Sequence, residues 1–173
     1  MADIPDQLTL KVNRDREGRR DHLLRRVLVA LLSIFILAGA LNVFGQRPQT
    51  TSVAGPAAQL SVYAPMRVRG GLYYEARFHV RANRDLKNAT LVLDSGWAEG
   101  ITINTVEPSP VGEASENGKL VFELGHVPAN HTYLFFMQMQ VNPTNVGHRD
   151  QNVELRDGDE HIVTVERTIT VFP

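Results

Sequence analysis

The chain has 173 residues, a formal net charge of −1 and no cysteine. That composition leaves room for one ordinary domain with appendages, and it excludes a disulfide-stapled fold, a thiol nucleophile and a cysteine-ligated zinc. The near-zero net charge conceals an asymmetry. Residues 1–26 carry seven basic side chains against five acids, whereas residues 45–173 carry eleven basic and fourteen acidic ones.

Residues 1–13 are polar, with Leu8, Leu10 and Val12 alternating. They read as a tail, or alternatively as a short partner-binding strand. From about Asp15 the composition turns helical and leads through Arg25 and Arg26 into Val27–Phe44, 18 residues without a charge. At 1.5 Å per residue this is about 27 Å of helix, close to the hydrocarbon thickness of a bilayer. Seven Lys or Arg residues precede it and only Arg47 closely follows it, so the N-terminus is expected in the cytoplasm and the C-terminal part outside. The alternative is a cleaved signal peptide, favoured by Ala38, Gly39 and Ala40 and opposed by the long charged region ahead of the apolar run. Residues 45–58 are rich in Pro, Gly, Ser and Thr and are expected to form a flexible linker.

From Gln59 onward the hydrophobic period changes to two. Leu72, Tyr74, Ala76, Phe78 and Val80 alternate with Tyr73, Glu75, Arg77, His79 and Arg81. This predicts a strand with one buried and one solvated face. Tyr133, Phe135, Met137, Met139 and Val141 repeat the pattern, and weaker versions lie at 59–64, 89–94, 101–106, 119–124, 152–155 and 161–171. Turn residues separate these eight runs, and Asp157-Gly158 predicts that 152–155 and 161–165 pair as a hairpin. No interval is long enough for a crossover helix, which argues against a parallel sheet. The expected fold class is all-β: an immunoglobulin-like Greek-key sandwich of seven or eight strands over 59–173, tethered by one N-terminal transmembrane helix.

Gly118–Gly125 (GKLVFELG), Val127-Pro128-Ala129 and the run 131–141 resemble the immunoglobulin-like repeat domains of bacterial surface proteins. The strings RVRGG (67–71), GWAEGITINTVEPSP (96–110) and residues 140–173 are similar to an uncharacterised family of single-pass actinobacterial membrane proteins. The resemblance implies a packing pattern with no site attached, and a neighbouring multi-spanning membrane protein as a partner.

No catalytic constellation stands out. The six histidines form no His-x-His or His-Glu-x-x-His set, so no metal or other cofactor is expected. In the acidic turn Asp157-Gly158-Asp159-Glu160 a hairpin explains the Asp157-Gly158 part without an ion and the twelve-residue calcium loop is absent; calcium held by its three carboxylates is the alternative. Trp97, at a strand end between two glycines, is expected to plug the sandwich; the other reading makes it a sugar-stacking platform with Asp94 and Glu99 nearby. The net acidic domain offers nothing to nucleic acid. The partner surfaces singled out are Leu134 and Phe136, apolar side by side on the strand face that should be polar, and Ala38, Gly39, Ala40 and Asn42 in the apolar helix. The segment 111–117 is the internal cover that could hide Leu134 and Phe136. The expected function is a non-catalytic, membrane-anchored accessory protein that binds another membrane or envelope protein, with residues 27–44 contacting the bilayer; an envelope carbohydrate-binding or hydrolytic domain is the alternative.

Overall fold

The computed structural model describes residues 19–43 and 45–173. The alternating Leu8, Leu10 and Val12 and the helix start expected near Asp15 lie outside the described residues. The chain forms two compact units, Met1–Val43 and Phe44–Pro173.

The first unit contains helix α1, Arg19–Ala40. Its window Asp21–Ala40 has a mean hydropathy of 2.1 and buries no residue, and among the described residues it is the one helix long and apolar enough to cross a membrane. The expected span ran on to Phe44, but the helix stops four residues earlier. Asn42 takes φ = 53°. Its N–H donates to the Gly39 carbonyl and that of Val43 to the Ala38 carbonyl, both at 3.0 Å. This is a Schellman cap, in which a left-handed residue lets the chain turn back onto the last carbonyls; after glycine, asparagine best tolerates that conformation.

The second unit is an all-β sandwich. Its larger sheets run β1 (Pro48–Ala54), β2 (Ala58–Pro65), β4 (Tyr73–Ala82), β9 (Thr132–Val141), β6 (Ile101–Glu107), and β12 (Glu160–Val165), β11 (Val153–Asp157), β5 (Leu86–Leu93), β8 (Lys119–Val127), β7 (Gly112–Glu116). All neighbours in these two sheets pair antiparallel. The order β2-β4-β9-β6 against β12-β11-β5 reproduces the ABED and GFC sheets of the immunoglobulin fold, with β1 added outside β2 and the β7–β8 hairpin beside β5. A third, smaller sheet joins β10 (Gly147–Asp150), β13 (Thr168–Phe172) and β3 (Arg67–Arg69).

Alternation builds the core. Tyr74, Ala76, Phe78 and Val80 of β4 and Phe135, Met137, Met139 and Val141 of β9 are all buried, on the face anticipated for each. Phe122 of the opposite sheet packs 5.1 Å from Phe135, which stands 5.9 Å from Phe78, itself 5.2 Å from Trp97. These offset, tilted rings tie the two layers together at distances typical of favourable aromatic pairs.

Three expectations need correction. The stretch 45–58 is not a flexible linker throughout, because 48–54 is strand β1, paired along its length with β2 and held by a Ser52–Ser61 hydroxyl contact of 2.8 Å. Polar and mostly exposed, it has no hydrophobic alternation to reveal it. Among the described residues thirteen strands form rather than seven or eight: β3, β7 and β10 are short, and the run 161–171 breaks at Glu166-Arg167 as the chain passes from one sheet to another. Finally, β13 pairs with β3 in parallel. No crossover helix is needed, since the two strands are far apart in sequence and most of the sandwich intervenes.

Candidate functional site

The outer face of the β1-β2-β4-β9-β6 sheet gathers the side chains with unfilled chemistry. Antiparallel register places directly opposed residues on the same face. Thr50, Tyr63, Arg77, Phe136 and Glu107 therefore form one row across five strands, and Ser52, Ser61, His79 and Leu134 form the next. Gln59, Arg81 and Thr132 make a third. The candidate pair thus stands directly against nitrogen-bearing side chains: Leu134 opposite His79 and Phe136 opposite Arg77.

Leu134 is 46% exposed and Phe136 is half-buried in its row. Their expected internal cover is elsewhere, since 112–116 is strand β7, paired with β8 in the opposite sheet, and Val111 is itself exposed. Leu134 is therefore open to whatever meets this face.

Beside the pair runs a shallow open groove of about 390 Å³ across β1, β2, β4 and the start of β9, whose lining includes Tyr63, Arg77, His79, Arg81 and no acidic residue. The Arg77 guanidinium stacks 5.6 Å from the Tyr63 ring centroid and donates to Glu75 at 2.6 Å. His79 and Arg81 have no hydrogen-bond or ion-pair partner among the described residues. The alternation in 72–81 already placed Arg77, His79 and Arg81 outward; their alignment with Leu134 and Tyr63 depends on strand register, which the sequence does not carry.

The residues of the sugar-binding alternative are placed otherwise. Trp97 is fully buried in a 3-10 turn, Ser95–Trp97, and its Nε1–H donates to the Gln151 carbonyl at 3.0 Å. A methyl group on Gly96 would fall 2.2 Å from the Asp150 carbonyl oxygen, so only glycine lets this turn seat so closely. Trp97 is a plug with no face for a ligand. Asp94 pairs with Lys119 at 2.8 Å and Glu99 with Arg149 at 3.3 Å. Two of the three carboxylates of the acidic hairpin are also engaged, Asp157 accepting from the Asn88 N–H at 2.8 Å and Glu160 from Arg84 at 2.6 Å. Among the described residues no cluster of three potential metal ligands occurs.

Around Trp97 lies a buried polar group that sequence reasoning passed over. Arg167 holds its guanidinium 5.0 Å from the indole centroid and donates to the Pro65 carbonyl at 2.9 Å. Gln151, fully buried, donates from Nε2 to the Gly96 carbonyl at 3.1 Å and to the Tyr74 hydroxyl at 3.3 Å. Burial pushes the Tyr74 phenol up to about 12, opposed by the Gln151 hydrogen bond and the nearby Arg167 charge. Burial also pulls Arg167 down to about 10. The signal was present, because 163, 165, 167, 169 and 171 are all inward positions of one alternating run.

In Ala38, Gly39, Ala40 and Asn42, the structure gives Asn42 a backbone role as the helix cap, and Gly39 has open space around it.

Comparisons with known proteins name no family: no family model matches the chain, and no curated protein matches it. Among solved structures it is similar to a FixG-related protein from Vibrio parahaemolyticus, with a TM-score of 0.37 and 15% identity over 66% of this chain and 96% of that one. It is also similar to a GH20 exo-β-N-acetylglucosaminidase from Vibrio harveyi, with a TM-score of 0.28 and 11% identity, over 73% of this chain. The matched part is 18% of that enzyme's length.

Proposed function

We propose that the protein is a membrane-anchored, non-catalytic accessory whose β-sandwich docks on another membrane or envelope protein through the Leu134–Phe136 face. In this reading α1 crosses the plasma membrane with the N-terminus in the cytoplasm and the sandwich outside. Seven basic residues ahead of the apolar run support that orientation. The observation that carries the docking surface is the exposure of Leu134 beside Phe136 on the sheet face, where none of the described residues covers it. A tethered module gains effective concentration at the membrane, so a modest interface suffices.

Orientation is directly testable because the chain has no cysteine. With Thr9→Cys and Val111→Cys made separately, a membrane-impermeant maleimide on intact spheroplasts is expected to label only the second; labelling of the first alone reverses the topology. For docking, Leu134→Ser with Phe136→Gln should leave the full chain folded in mild detergent and lower recovery of its accompanying membrane protein. Unchanged recovery from a folded double variant would remove this face as the interface.

A further inference from the structure

From the groove beside Leu134 and Phe136 we infer that the docked partner presents an acidic, extended segment that lies along β4, with carboxylates on Arg77, His79 and Arg81 and apolar side chains on Leu134 and Phe136. This rests on the docking reading above and specifies its chemistry. Three observations carry it.

Arg77 and Arg81, both cations, and the imidazole of His79 between them stand at successive outward positions of one strand, so they are spaced about 7 Å apart, twice the rise per residue. An extended chain running beside them repeats its same-side side chains at the same interval, so acids at alternate positions match the column one to one. Second, the groove lining contains no acid, and His79 and Arg81 have no partner of their own among the described residues. Arg77 has only an exposed one, Glu75. Third, the apolar pair is the direct cross-strand neighbour of this column, Leu134 of His79 and Phe136 of Arg77. Two arginines flanking a histidine, beside an apolar row, fit a chain that alternates acid and hydrophobe. A glycan would need a free aromatic face, and the Tyr63 ring already carries the Arg77 guanidinium.

The test uses the full-length chain in neutral detergent with two fluorescent peptides, one alternating Glu with Leu over seven residues and one with every Glu replaced by Gln. Exposed ion pairs are individually weak. Those of Arg77 and Arg81 together are expected to make the Glu peptide bind roughly tenfold tighter than the Gln peptide at low salt, and screening should erase most of the difference near 0.5 M salt. Arg81→Glu with His79→Glu should abolish the preference, whereas the same reversal at Arg67 and Arg69, on β3, should leave it. Equal binding of the two peptides, or a preference that survives the β4 reversal, overturns the inference. Recovery of the accompanying membrane protein separates the two ideas: if Leu134→Ser/Phe136→Gln lowers it and the β4 reversal does not, the interface stands and the acidic segment falls. Binding of the wild-type chain to vesicles of anionic lipid, lost in the β4 reversal while the peptides show no preference, would assign the groove to the bilayer surface and equally overturn the inference.

Discussion

The guanidinium of Arg167 lies 5.0 Å from the centroid of the Trp97 indole, in the interior of the sandwich. Arg167 sits where the chain leaves β12 and enters β13, so its side chain closes the corner at which a strand changes sheets. The backbone around it is tied down as well: its N–H donates to the Asn152 side chain at 3.0 Å, and its carbonyl accepts from the Gln151 N–H at 2.9 Å. The charge is nevertheless poorly compensated. Among the described residues the guanidinium Nε and Nη1 have no hydrogen-bond partner, and no carboxylate is among the groups that hold the side chain.

A buried charge without a counter-ion costs more in desolvation than one carbonyl bond and a ring contact return, and similarly shaped apolar residues often replace such groups at no loss. Arg167→Met is therefore expected to change stability by less than about 1 kcal/mol, or to raise it by 1–4 kcal/mol. Urea unfolding of the full chain, followed by Trp97 fluorescence, reads this directly. A loss of more than about 2 kcal/mol would mean that the Pro65 bond and the indole contact together outweigh the desolvation.

Tyr74 gives the same cluster an alkaline signature. Its phenol has a folded-state pKa of about 12 against an ordinary 10.0, because burial disfavours the phenolate. A raised folded pKa means that the group's contribution is fully present below pH 10. It is lost as pH climbs from 10 toward 12, where the unfolded chain ionises and the folded one does not. Arg167 is shifted downward, so its contribution over that range has the opposite sign. Tyr74→Phe should remove the Tyr74 loss, leaving stability to decline less steeply between pH 10 and 12 than in wild type. Indistinguishable slopes in denaturant titrations at pH 9, 10.5 and 11.5 would show that this phenol is not held neutral by the fold.

Hydrophobic alternation made the strands that face the core legible, and made little else so. Phe78 and Phe135 were readable because every second residue of their strands is apolar and the two faces differ in solvent. Strand β1 was not, since Thr50, Thr51 and Ser52 gain their strand conformation from pairing with β2 and bury almost nothing. Strand β7 left a different trace: Asn117-Gly118, with φ of 51° and 79°, is the two-residue turn that joins it to β8, and that dipeptide alone signals a hairpin. At Asp157-Gly158 the expected hairpin forms, but the turn sits one residue on, between Asp157 and Glu160, with positive φ at Gly158. The groove was the least legible feature. Arg77, His79 and Arg81 were seen as outward, but their meeting with Tyr63 on one side and Leu134 on the other is a matter of register between separate strands, β9 lying far from β4 in sequence.

Register also supplies the sharpest test, because adjacent residues of β9 point to opposite faces. Phe135 is fully buried, with Phe78 at 5.9 Å and Phe122 at 5.1 Å. Removing its ring would open a cavity that two sheets cannot collapse to fill, so Phe135→Ala is expected to cost about 3–5 kcal/mol. Phe78→Ala, which strips the same cluster of its contact with Trp97, belongs in the same range. Leu134→Ser, one residue away from Phe135, removes a side chain that is 46% exposed and should cost about 1 kcal/mol or less. The ratio between neighbours matters more than either value. A one-residue slip of β9 would exchange the two faces and invert the order. Chemical denaturation of the three single variants, side by side in the full chain, therefore decides whether Leu134 belongs to the surface on which the docking proposal depends.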